Sequence, residues 1–126
     1  MDSIVWEEGP RAAGYAYHKV ARYQAEGVRL KIDVSVTPDG SSCPVRITAH
    51  NSTSSDPQRL ALSDPHLADE HLADIDGGLR RLGVPPVIAA YCAGDIVALI
   101  RRDGERISAT QRELESTAVK RREGAG

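Results

Sequence analysis

The chain has 126 residues, 40% hydrophobic and 27% charged, a composition that fits one ordinary soluble domain rather than a disordered or membrane chain. Its 16 Lys and Arg stand against 18 Asp and Glu, a formal charge of −2, so the field of the whole molecule does not draw it onto nucleic acid or anionic lipid and any basic surface must be local. With no Phe and a single Trp, burial falls to Val, Ile, Leu and Ala, and a chain of this length buries roughly two thirds of its unfolded surface, enough for a core without staples.

Met1 to Glu8 lacks the basic start and apolar run of a secretory signal, and two cysteines, Cys43 and Cys92, are too few for a secreted disulfide framework. Both features point to a cytoplasmic protein with free thiols. Arg outnumbers Lys thirteen to three, a bias common in GC-rich bacterial genomes. Ile4 to Glu7 reads as a short strand, and Gly9-Pro10 as a helix start with proline at the first helical position.

From Arg11 to Glu26 two readings compete. Ala12, Ala13, Ala16, Tyr17, Val20 and Tyr23 share one helical face and Gly27 suits the stop. Tyr15, Tyr17 and Tyr23 also alternate, and Gln24 to Gly27 can turn the chain as a hairpin. The helix is the reading carried forward. Val28, Leu30, Ile32, Val34 and Val36 alternate with Arg29, Lys31, Asp33, Ser35 and Thr37, the pattern of a half-buried strand. After turn residues 38–42, Val45, Ile47 and Ala49 alternate with Arg46, Thr48 and His50 to complete an antiparallel pair.

Ser63-Asp64-Pro65 marks a second helix start, with an apolar stripe of Ala68, Leu72, Ile75, Leu79 and Leu82 that ends before Gly83 and is weakened by Gly77-Gly78. Val84 to Ile100 contains Pro85-Pro86, Gly94 and Asp95, unsuited to a membrane helix. Val87 to Tyr91 and Ile96 to Arg101 read as two buried strands. Ser108 to Gln111 matches a capping box, predicting a polar helix over 109–122 with Leu114 and Ala118 as a thin apolar stripe.

This order predicts an α+β fold: an antiparallel sheet of four to five strands with two helices on one face, in the ferredoxin-like split β-α-β class, followed by the polar helix. The alternative is a curled β-meander around one helix. Residues 1–107 form the expected α+β domain and 108–126 the polar helix and frayed tail.

His66, Glu70, His71 and Asp74 are the residues best suited to acid-base work. The histidines lie five residues apart, about 140° around a helix, so they do not chelate one ion, and no metal or cofactor is expected. Arg29, Lys31 and Arg46 fall on the solvent side of the central strands, a small basic face interrupted by Asp33 and without the stacking aromatics of an RNA platform. Asp76-Gly77-Gly78-Leu79-Arg80-Arg81 pairs glycines with guanidiniums yet matches no phosphate-loop spacing, and glycines at a helix end explain it. No nucleophile motif occurs. The expected function is therefore a small binding or regulatory protein acting through a protein partner or a second copy of itself, the basic strand residues or Leu114 and Ala118 making the contact, with no nucleic acid or membrane involved. The alternative is a small enzyme or ligand-binding domain built on His71, His66 and the nearby carboxylates.

Overall fold

The computed structural model describes residues 4–10, 15–40, 42–54 and 56–125, with side chains up to Thr117. The elements in chain order are β1 (Glu7–Glu8), β2 (Tyr17–Ala25), β3 (Val28–Val36), β4 (Val45–Asn51) and β5 (Gln58–Leu62), a 3-10 turn (Pro65–Ala68), then α1 (Leu72–Arg81), α2 (Pro86–Arg102) and α3 (Gly104–Ala125). This is an α+β protein whose five strands form one antiparallel sheet in the order β1-β2-β3-β4-β5. Every strand pairs with its sequence neighbour, so the split β-α-β crossover is replaced by a meander.

The helix expected within 11–26 is a strand from Tyr17 onward, and Ala12 and Ala13 of its predicted stripe lie outside the described residues. Tyr17, Lys19, Ala21, Tyr23 and Ala25 sit opposite Val36, Val34, Ile32, Leu30 and Val28 and share their face. Ala25 and Val28 close a two-residue turn in which Glu26 (φ 51°) and Gly27 (φ 79°) are both left-handed. That geometry matches the right-handed twist of the flanking strands, and it makes a continuous hairpin more favourable than a helix that leaves β3 unpaired. A fifth strand, Gln58–Leu62, lies outside the elements expected from the sequence.

The stretch read as two buried strands is the 17-residue α2. Pro86 occupies its first turn, where the missing N–H has no helical partner to lose. Its buried residues, Ile88, Ala89, Cys92, Ala93, Ile96, Val97, Leu99 and Ile100, recur in pairs every three to four positions, a helical period hidden inside a nearly continuous apolar run. The predicted Pro65 helix is also divided. Asp64 caps only a 3-10 turn, its Oδ1 accepting the His66 N–H at 2.8 Å. The α1 helix begins afresh at Leu72 and runs through Gly77-Gly78. It ends in a Schellman motif: Gly83 (φ 87°) donates to the Arg80 carbonyl and Val84 to the Leu79 carbonyl.

The capping box at 108–111 falls inside α3, which starts at Gly104. Ile107 is fully buried, and Gln111 sends its Nε2 across to the Cys43 carbonyl (2.8 Å) and the Ser63 carbonyl (3.1 Å). The break expected after Ile107 therefore crosses a helix whose beginning is fastened to the sheet. The Tyr17 hydroxyl donates to Asp103 Oδ2 at 2.7 Å at the α2–α3 junction, and the Arg106 guanidinium lies over the Tyr17 ring. Buried residues of β2 to β5 and of all three helices join in one apolar cluster. Among the described residues no helix is long and apolar enough to cross a membrane.

Candidate functional site

Strand register decides what the sheet presents away from its apolar cluster. Residues directly opposite one another point to the same face, so pairing assembles two rows there: Arg22, Lys31 and His50 across β2, β3 and β4, and Val20, Asp33, Thr48 and Arg59 across β2 to β5. A third row runs through Gln24 and Arg29. Arg22, Arg29, Lys31, His50 and Arg59 are exposed, and none makes an ion pair or side-chain hydrogen bond among the described residues. Arg22, Gln24, Arg29, Lys31, His50 and Ser52 border a shallow hollow of about 410 Å³.

Asp33 does not neutralise this patch. His18 holds it at 2.7 Å through Nε2 and donates from Nδ1 to the Pro10 carbonyl at 3.0 Å. A Cβ on Gly9 would lie 2.3 Å from that ring, so glycine is what lets the chain cross over His18. The opposite end of the face is also settled, because Arg46 pairs with Asp39 at 2.9 Å. The basic side chains left open thus lie together, with Glu26 beside Arg29 at the β2–β3 turn.

Of the predicted residues, Arg29, Lys31 and Arg46 do share this face. Arg22 joins them because its segment is a strand, and Arg59 because β5 exists. His66 is exposed and 3.7 Å from Asp64, whereas His71 donates to Asp74 Oδ2 at 2.9 Å. They form two separate local pairs, and no contact joins Glu70 to either. Among the described residues no cluster of three or more His, Cys, Asp or Glu could hold a metal ion. Leu114 packs half-buried against the core, which removes it from a free docking stripe; the Ala118 side chain lies outside the described residues.

The thiols are free and buried, so neither is a surface nucleophile. Burial first and the Asp95 carboxylate second push Cys92 up to about 11, and burial chiefly raises Cys43 as well. Burial, then the hydrogen bond to Asp103, raises the Tyr17 hydroxyl too. The fold keeps these protons while the unfolded chain releases them near its ordinary values of 9.0 for Cys and 10.0 for Tyr. Unfolding free energy is therefore expected to be unaffected by these groups below pH 9.0 and to fall as pH rises beyond it, the cysteine share lost by about 11. Chemical denaturation across that range checks the sign, with Cys92→Ala removing part of the slope.

Comparison with protein-family models, curated proteins and solved structures returns no match for this chain.

Proposed function

We propose that this chain is a non-catalytic binding protein that docks an acidic segment of a protein partner on the open face of its sheet, in a reducing cytoplasmic setting that suits its two free thiols. The observation that carries this reading is the cross-strand pair Arg22–Lys31, with His50 beside it. Like charges set directly opposite on neighbouring strands oppose folding, and here the described residues supply no carboxylate to offset them. An anionic partner would supply it. Glu26 stands beside Arg29 at the β2–β3 turn, so a long polyanion running past the patch meets a like charge there. A compact acidic protein segment can stay within the patch. A second copy docking its acidic surface here would make a head-to-tail contact and leave a free face at each end.

Titration with an oligo-glutamate peptide tests the reading, with duplex DNA and sedimentation of the protein alone as parallel measurements. Salt-sensitive peptide binding that is lost in Arg22→Glu/Lys31→Glu is the expected result. Tighter binding to the duplex, or salt-sensitive polymerisation abolished by the same substitutions, would replace the acidic protein segment with nucleic acid or with the chain itself. Lys31→Glu alone should also raise unfolding free energy by about 0.2–1 kcal/mol at low salt, since it replaces a repulsive cross-strand neighbour with an attractive one.

A further inference from the structure

A second recognition element lies on the other side of β5. Between this edge strand and α1 lies a half-open pocket of about 180 Å³ with a floor of Ile47, Leu60, Ile75, Leu79 and Ile96. An apolar cavity of roughly 150 Å³ accepts a benzene ring, so the volume suits a single ring or a short alkyl chain. The mouth is polar. Arg59 and Arg81 both line it, and Arg81 Nε donates to Gln58 Oε1 at 3.0 Å.

Gly77 and Gly78 lie beside this mouth. Both lie inside α1, where two glycines cost about 2 kcal/mol relative to alanine. A Cβ on Gly77 would come within 3.5 Å of Arg81 Nη1, and one on Gly78 within 3.7 Å of Arg81 Nη2 and 3.6 Å of Gln58 Cβ. The guanidinium is thus folded back along a bare stretch of helix beside the cavity and oriented by Gln58. Its Nη groups have no acceptor among the described residues, and a guanidinium with free N–H groups is shaped for a carboxylate. The remaining charged group at the cavity, Asp74, is engaged by His71; it disfavours a ligand with a second carboxylate on the buried body.

From the apolar floor and the Arg81 guanidinium oriented at its mouth by Gln58, we propose that this pocket binds a small monocarboxylic acid, its ring or short alkyl chain inside and its carboxylate on Arg81. The site shares only Arg59 with the basic sheet face, and its failure would leave that reading intact.

Calorimetric titration with benzoate and hexanoate tests it, with benzyl alcohol and phthalate as the neutral and dianionic counterparts. Benzoate or hexanoate should bind, and the counterparts should bind at least about tenfold more weakly. Arg81→Gln should weaken benzoate by about tenfold or more, while Arg22→Glu should leave it unchanged. Gly78→Ala places its Cβ at ordinary contact distance, so it should raise the melting temperature through helix propensity yet weaken benzoate by narrowing the mouth; that pairing distinguishes lost binding from lost folding. Absence of binding by both acids, equal binding of benzyl alcohol, or benzoate affinity unchanged by Arg81→Gln would overturn the proposal.

Discussion

Ile32→Ala is expected to lower unfolding free energy by about 2–5 kcal/mol. Ile32 is 1% exposed at the middle of β3, the central strand, flanked on the same face by Ala21 and Ala49. Those small neighbours cannot swing in to fill the space left by an isoleucine, so most of the cavity would persist, and the loss combines lost transfer energy with lost contacts. Lys31→Ala, one residue away on the opposite face, serves as the control and should change stability little. Urea denaturation of the two variants, compared at equal slope, measures the difference; similar small effects at both positions would mean that the strand presents its faces the other way.

Truncation after Ile107 is expected to destabilise the protein by about 3 kcal/mol or more. The helical stripe of Leu114 and Ala118 suggests an appendage held by little area, but the structure assigns that part of α3 another duty. Gln111 is 8% exposed and its amide bonds two carbonyls, of Cys43 and Ser63, in the chain segments at either end of the β4–β5 hairpin. Removing it leaves the buried Cys43 carbonyl short of a partner, at about 1–3 kcal/mol, and releases the part-buried Ser63 carbonyl as well. Leu114, packed on the core, is lost with it. Gln111→Ala isolates the amide and should show about 1–3 kcal/mol of the effect; thermal melting of the truncated chain at its normal midpoint would show that the helix is the loosely attached appendage its polarity suggests.

Much of the sheet was legible because period-two alternation is a local signal. Val28 to Val36 and Val45 to Ala49 show it without interruption, and both lie where it puts them. The β2 segment misleads because its alternation mixes tyrosines and alanines with Lys19, whose stem lies on the inner face while its ammonium reaches Glu8 at 2.7 Å, so the apolar set also fits a helix. The Glu26-Gly27 turn lacks the Asn-Gly or Asp-Gly pair that announces a hairpin. The α2 segment fails for the opposite reason: its exposed face carries Val87, Ala90, Gly94 and Ala98, so it offers too little polar contrast to fix a period. These two misreadings exchange a helix for a strand and two strands for a helix, and the unassigned β5 restores the strand number, which is how the right composition of elements led to the wrong topology.

The basic face of the sheet was partly legible on the same grounds. Arg29, Lys31 and Arg46 follow from alternation alone, but the cross-strand row that gives the patch its electrostatic character needs the pairing partners Arg22 and His50, and pairing is set by turns and by tertiary packing. Gln111 carried no readable signal, because a helix-capping pattern accounted for it locally while its partners lie 68 and 48 residues away in the chain.

The meander also sets an order of exposure in time. All five strands precede α2 in the chain, and antiparallel neighbours joined by short turns pair within microseconds, far faster than a ribosome adds residues. During synthesis the face formed by Leu30, Ile32, Val34 and Ile47 is therefore complete before Ile88 to Ile100 exist to cover it. Nascent chains then pass through an interval in which an apolar sheet with an open β5 edge stands uncovered, and its length is set by the translation of residues 63–102, making the speed of that stretch a determinant of how much chain escapes aggregation.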